Sequence, residues 1–129
     1  MAEETTPNSS EVDRFVLNRI DSVPHLEALL LMWRERPHPY SAPRLSKELW
    51  VTLDQAEGVL RDLAREGLVV ANSEPAGYLH QADPEKDRLL RLVSETYKRE
   101  LIRISTMIHS KPSASVREFA KAFRLKKED

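Results

Sequence analysis

The chain has 129 residues, of which 40% are hydrophobic and 32% are charged, a balance typical of one folded, well-solvated domain. It contains no cysteine, which excludes disulfides and thiolate chemistry, and its longest apolar run, Ala28–Trp33, is far too short to span a membrane. The net charge of −1 hides an asymmetry, because residues 1–82 carry a net charge of −5 and residues 83–129 one of +4.

The N-terminal segment predicts a disordered tail followed by a helix. Residues 1–9 are polar and acidic, with no large side chain to anchor them and no apolar stretch of a signal peptide. We therefore expect a tail over residues 1–9 and a cytoplasmic location. Ser10 and Asp13 resemble a capping box, and the apolar residues that follow share one face of a helix over Glu11–Ile20.

A second helix is predicted from the next start signal. Ser22 can cap it and Pro24 suits its first turn, while Pro37 ends it after about Arg36. Its apolar positions recur with a spacing of three and four, which indicates a buried face: Leu26, Leu29, Leu30 and Trp33.

Two helices joined by a tight turn come next. Ser41 caps a short helix from about Pro43 to Trp50, and Thr52 caps a second helix, Leu53–Glu66, which Gly67 ends. With so few residues between them, the two helices must cross at a steep angle. Their predicted buried residues are Leu45, Leu49, Trp50, Leu53, Ala56, Val59, Leu60, Leu63 and Ala64.

Beyond Gly67 the pattern changes to that of short strands. Leu68–Ala71 and Tyr78–His80 predict a β-hairpin. Asp83 and Pro84 then open a long helix that runs to about Ser110.

The order helix, short helix, turn, helix and hairpin resembles the winged helix-turn-helix over residues 22–82. The stretch from Leu45 to Val69, LSKELWVTLDQAEGVLRDLAREGLV, is similar to MarR-type and related bacterial transcriptional regulators. The resemblance implies a mainly α fold with a small β-hairpin, with an extra N-terminal helix in a domain over residues 10–82. It also implies that Leu53–Glu66 is the recognition helix and Ser73–Gly77 the wing.

In DNA-binding members of this family the recognition helix enters the major groove, so the resemblance implies contacts by its outward side chains. Arginine can bind guanine and glutamine can bind adenine through two hydrogen bonds. Gly58 costs helix stability on an exposed face, which indicates either close approach of another surface or drift at a tolerant surface position. The candidate DNA- or partner-binding residues are Arg44, Lys47, Thr52, Gln55, Gly58, Arg61 and Arg65.

A protein-interaction module stays open as the alternative function. The recognition helix carries four carboxylates against two arginines, and the wing has no lysine or arginine. Such a face can bind a protein through its acidic surface, or the C-terminal helix and tail can do so.

The C-terminal half adds two candidate contact regions. The helix over residues 83–111 has a near-heptad apolar seam that predicts a homodimer, or alternatively a seam that folds back on the first helix. Residues 112–129 predict an amphipathic basic tail that contacts a partner or, alternatively, packs as a terminal helix with a charged end. The candidate dimerisation residues are Leu90, Val93, Tyr97, Leu101, Ile104 and Ile108, and those of the tail are Phe119, Phe123, Arg124, Lys126 and Lys127.

No pattern of residues predicts an enzyme, a metal site or a cofactor. The four histidines lack the spacing of metal ligands, and neither a phosphate-binding glycine loop nor a nucleophile elbow is present. We therefore expect a non-enzymatic regulator whose partner is duplex DNA, a second copy of the chain or another protein.

Overall fold

A computed structural model describes residues 7–81 and 83–111, which form six helices and one two-stranded sheet. The bounds are α1 (Pro7–Arg19), α2 (Val23–Arg34), α3 (Ala42–Leu49), α4 (Leu53–Arg65), β1 (Val69–Ser73), β2 (Ala76–His80), α5 (Pro84–Arg99) and α6 (Leu101–His109). In this part of the chain, no helix combines the length and apolar character needed to cross a bilayer.

Helix α1 begins earlier than the sequence predicted. Residues 7–9 are helical, so their assignment to a disordered tail was wrong, and residues 1–6 lie outside the described part. Pro7 suits this start because the first turn of a helix has no use for the N–H that proline lacks. The predicted apolar face is buried, and it packs α1 against α5 and α6 through Val12, Phe15, Val16 and Ile20.

The helix-turn-helix segment follows its predicted start signals. The Ser22 hydroxyl accepts a hydrogen bond from the backbone N–H of His25, and Thr52 and Gln55 form a complete capping box at the start of α4. Two hydrogen bonds between Ser46 and Val51 hold the turn between α3 and α4. The Ser46 hydroxyl donates to the Val51 carbonyl at 2.6 Å, and the Val51 N–H donates to the Ser46 carbonyl at 3.2 Å.

The hairpin docks on the chain that precedes α3. Strands β1 and β2 are antiparallel, and Tyr40 forms a bridge to Tyr78 through backbone hydrogen bonds of 2.7 and 2.9 Å. At Gly77, where φ is +152°, an added Cβ would lie 2.6 Å from the Tyr40 carbonyl oxygen. Glycine is therefore required for this close approach of two backbones.

The predicted long C-terminal helix is two helices. The backbone breaks at Glu100, where φ is −127° and ψ is 48°, and α6 packs against α1. A straight rod of 27 residues would carry part of its apolar seam away from the domain, whereas the break returns Ile104 and Ile108 to the core. The fold-back alternative is the one that the structure takes.

Candidate nucleic-acid interface

Helix α4 presents a buried face and an outward ridge, as predicted. Ala56, Val59, Leu60 and Leu63 are buried against the rest of the domain. Arg61 lies on the opposite, exposed side of the helix and forms no ion pair with any described residue. The central cation of the predicted recognition surface is therefore available to a partner.

Two of the carboxylates at the C-terminal end of α4 are neutralised within the domain. Asp62 accepts hydrogen bonds from His25 Nε2 at 2.8 Å and from Arg65 at 2.7 Å. Burial raises the pKa of Asp62, but the hydrogen bonds from His25 and Arg65 outweigh burial, so the pKa lies below its usual value. Glu66 pairs with Arg19 of α1 at 2.6 Å. These two charges therefore weigh less on the outward ridge than the sequence suggested.

Two other carboxylates remain on the outward side. Asp54 and Glu57 are exposed, and neither makes an ion pair or side-chain hydrogen bond with a described residue. Glu57 is one turn before Arg61 on the same helix. The ridge therefore carries both signs of charge, with Arg61 flanked by acidic groups.

Some predicted contact residues have structural roles of their own. The Gln55 carboxamide oxygen accepts hydrogen bonds from the backbone N–H of Thr52 at 3.0 Å and from its hydroxyl at 3.3 Å. An adenine contact through both ends of this side chain would require the capping box to open. Arg65 is held by Asp62, although its side chain stays 67% exposed.

Helix α3 adds exposed cations beside a groove. Lys47 is exposed, and the Arg44 guanidinium lies 4.3 Å from the centre of the Tyr40 ring. Burial raises the pKa of the Tyr40 hydroxyl, while the nearby charge of Arg44 opposes that rise. Between α3, α4 and the hairpin lies a groove of about 420 Å³ lined by Ser41, Ala42, Glu57, Leu60, Arg61, Ala76, Gly77 and Tyr78.

Gly58 is not demanded by internal packing. An added Cβ would meet only the end of the Arg61 side chain, at an ordinary distance of 3.8 Å. The hairpin tip carries Glu74 and no cation, as the sequence indicated. The close approach predicted at Gly58 therefore stays a prediction about a partner outside the chain.

Trp50 lies on the surface and not in the core. It was predicted on the buried side of α3, and that was wrong, because Trp50 caps α3 in the left-handed conformation with φ 60° and ψ 45° and is 93% exposed. Leu53, also predicted buried, is 46% exposed. The signal that could have found both is their position at the tight turn, where the chain reverses outside the core.

The predicted dimerisation seam is divided. Leu90, Val93, Ile104 and Ile108 are at most 2% exposed in the chain's own core, so their assignment to a dimer surface was wrong. Tyr97 is half-buried and donates a hydrogen bond to Glu27 at 3.0 Å. Only Leu101 of the predicted seam is exposed, and Ile102 beside it is 76% exposed.

The predicted tail residues Phe119, Phe123, Arg124, Lys126 and Lys127 lie outside the described residues.

Comparison with known proteins bears on the fold. No known family profile and no curated protein matches the sequence. The structure is similar to the crystal structure of a transcriptional regulator from Thermotoga maritima, with a TM-score of 0.51 and 16% sequence identity over 94% of this chain and 86% of that one. At this identity the likeness shows the fold. The predicted winged helix-turn-helix with a small β-hairpin is confirmed.

Proposed function

We propose that the protein is a non-enzymatic transcriptional regulator that binds duplex DNA through α4. The observation that carries the proposal is the exposed Arg61 at the centre of α4, which has no ion-pair partner among the described residues. Asp62 and Glu66 are paired with His25 and Arg19. The similarity of the fold to a transcriptional regulator supports the same function.

Each cation has a distinct role in this proposal. Arg61 binds a guanine edge in the major groove, where its planar guanidinium matches the two acceptors O6 and N7. Arg44 and Lys47 of α3 contact phosphates and set the register of the protein on the duplex. Gly58 leaves space for the DNA backbone next to Arg61. The two cations that contact phosphates correspond to a slope of about −2 per chain in a plot of log affinity against log salt.

The proposal includes a homodimer, because paired recognition helices read the two halves of an inverted repeat. The contact surface keeps only Leu101 of the predicted seam and adds Ile102. Leu101 and Ile102 are 48% and 76% exposed, and they lie directly after the break at Glu100, where α6 begins. We assign the contact between the two copies to this pair.

The proposal is tested by selection from a randomised library of 25-base-pair duplexes at low salt, followed by fluorescence anisotropy on the enriched sequence. Arg61→Ala should weaken binding by about 1 to 3 kcal/mol and relax the preference at one base pair. Arg61→Ala/Arg65→Ala should remove specific binding.

Arg91→Ala serves as the matched control, since Arg91 is exposed on α5. It should leave the affinity unchanged. No enrichment of any sequence at low salt, or equal losses in the Arg61 and Arg91 variants, would contradict DNA reading by α4.

A second candidate function, protein binding by the same face, is favoured by one observation. Trp50 is 93% exposed beside the half-exposed Leu53, and Asp54 and Glu57 follow on α4. Exposed tryptophan is common at the centre of protein interfaces. A partner that co-purifies with the wild-type chain but not with Trp50→Ala, together with the absence of duplex binding, would favour this function.

A further inference from the structure

Three side chains of types that can bind a metal converge from separate segments at α4. Asp21 lies in the connection between α1 and α2, His25 in the first turn of α2, and Asp62 on α4. One ligand atom of each lies within 4.8 Å of those of the other two. Because Asp62 is 37 residues from His25, no local spacing in the sequence could reveal this group.

The imidazole of His25 is held in an orientation that suits a metal ligand. Its Nδ1 lies 2.6 Å from the Ser22 hydroxyl oxygen, and its Nε2 faces Asp62. On metal binding, Nε2 loses to solvent the proton that it otherwise donates to Asp62. Nδ1–H then donates to the Ser22 hydroxyl oxygen, and the Nε2 lone pair faces the carboxylates. Metal-bound histidines commonly have their second ring nitrogen fixed by such a hydrogen bond. The His25 side chain is only 14% exposed, so its orientation is restricted.

The distance between His25 and Asp62 requires only a small adjustment. His25 Nε2 and Asp62 Oδ2 are 2.8 Å apart. Two ligands of a tetrahedral zinc ion lie about 3.3 Å apart, given zinc–ligand bonds of about 2.0 Å. Rotation of the partly exposed Asp62 carboxylate can supply that difference. Its other oxygen, Oδ1, accepts from Arg65, which leaves Oδ2 as the ligand atom.

Space for a further ligand lies beside two of the three side chains, His25 and Asp62. A cavity of about 240 Å³ is lined by residues of α2 and α4 together with two members of the group: Ser22, Pro24, His25, Gln55, Gly58, Val59 and Asp62. A water molecule in this cavity can complete a coordination sphere of three protein ligands, which is the arrangement of open zinc sites.

We propose that Asp21, His25 and Asp62 form a binding site for a divalent first-row transition metal, of which zinc is the representative. One imidazole nitrogen and two carboxylate oxygens suit this class of ion, whereas Mg²⁺ and Ca²⁺ prefer oxygen ligands alone. The site joins the connection before α2 to the recognition helix. It therefore extends the function proposed for α4 but does not depend on DNA binding.

The experiment is zinc titration of the full chain by isothermal calorimetry, with cobalt absorption spectra as a second readout. We expect one zinc per chain and visible cobalt bands of a four- or five-coordinate site. Zinc at a hundredfold excess over its Kd should raise the melting temperature by roughly 5 to 10 °C. Mg²⁺ and Ca²⁺ should produce no such rise.

Variants separate this site from adventitious binding. His25→Ala should abolish zinc binding, and Asp21→Asn should weaken it by more than about tenfold. His38→Ala is the matched control, since His38 is exposed in the loop after α2, and it should bind zinc as the wild type does. If His25→Ala fails to fold, Asp21→Asn and the cobalt spectrum decide. Absence of saturable zinc binding, or unchanged affinity in Asp21→Asn, would overturn the proposal.

Discussion

Trp50 joins two features that proteins seldom combine, a left-handed backbone and a large, fully solvated apolar side chain. Its φ of 60° disfavours any residue with a Cβ, and its ring is 93% exposed, so packing gives little in return. We expect Trp50→Gly to increase the free energy of unfolding by about 0.5 to 1 kcal/mol. Urea denaturation followed by circular dichroism measures this difference.

Trp50→Ala is the control for that measurement, because alanine retains the Cβ and removes only the exposed ring. Its stability should stay within about 0.5 kcal/mol of the wild type. A loss of more than about 1 kcal/mol in Trp50→Gly would show that the ring stabilises the folded chain. If both variants keep their stability and lose a binding activity, Trp50 serves a partner.

Two glycines differ in the space available for an added Cβ. Gly58 lies inside α4 with open space around it, whereas Gly77 faces the Tyr40 backbone at 2.6 Å. Gly58→Ala should therefore stabilise the protein by about 0.5 to 1 kcal/mol, since alanine is the better helix former. Gly77→Ala should destabilise it by roughly 2 to 4 kcal/mol, because a Cβ there displaces the hairpin from Tyr40.

Thermal and urea denaturation of the two alanine variants measures both effects. Equal stability of Gly77→Ala and wild type would mean that the hairpin does not dock as described. A lower stability of Gly58→Ala than of the wild type would mean that the surroundings of Gly58 are more crowded than the structure shows.

At the scale of elements, a hydrogen bond ties α2 to α5. Tyr97 donates to Glu27 at 3.0 Å, and burial, followed by this hydrogen bond and the Glu27 charge, raises the pKa of Tyr97 to about 12. An unfolded tyrosine ionises near pH 10. The raised pKa therefore contributes stability that is complete below pH 10 and is lost as the pH rises from about 10 to about 12.

The difference in tyrosinate absorbance between wild type and Tyr97→Phe isolates this group from the other tyrosines. We expect the difference to rise near pH 12, and Glu27→Gln to lower the pKa of Tyr97 without returning it to 10, because burial is the largest cause. Ionisation of Tyr97 near pH 10 in the wild type would contradict the contact between α2 and α5.

The elements that the sequence predicted well are those with local signals. Ser22, Ser41 and Thr52 cap helices where expected, and the apolar spacing identified the faces of α2 and α4. The helix breaks at Glu100 without a proline or glycine that would signal the break in the sequence. The break results from the burial of α6 against α1. Local propensity cannot reveal a break that distant packing stabilises.

The outward face of α4 was predictable to the same extent. Arg61 faces outward because the period of α4 requires it, and this could be read from the sequence. The pairing of Asp62 with His25 and of Glu66 with Arg19 could not, since each joins residues 37 or more positions apart. The charge of a helix face is therefore a property of the folded domain as much as of the helix.

At the scale of the whole molecule, the division of the C-terminal seam has a consequence for assembly. Leu90, Val93, Ile104 and Ile108 close the core of a single chain, so a second copy has to use side chains that this core leaves outside. Ile102, at 76% exposure, is the most exposed aliphatic side chain of α5 and α6. In a two-fold symmetric dimer the same patch occurs on both copies, so one charged substitution places two like charges in the interface.

We therefore expect the wild-type chain to sediment as a dimer at micromolar concentration and Ile102→Glu to sediment as a monomer. Val70→Glu is the matched control, because Val70 is also an exposed aliphatic residue, at 44%, but lies on β1. It should remain dimeric. A monomeric wild type at 100 μM, a concentration of the order at which weak contacts form, would remove the dimer from the proposed function.

Loss of the dimer should also change DNA binding. Ile102→Glu should bind a single half-site as tightly as the wild type does, but it should bind an inverted repeat less tightly. The reason is that only two linked recognition helices gain affinity from occupying both half-sites.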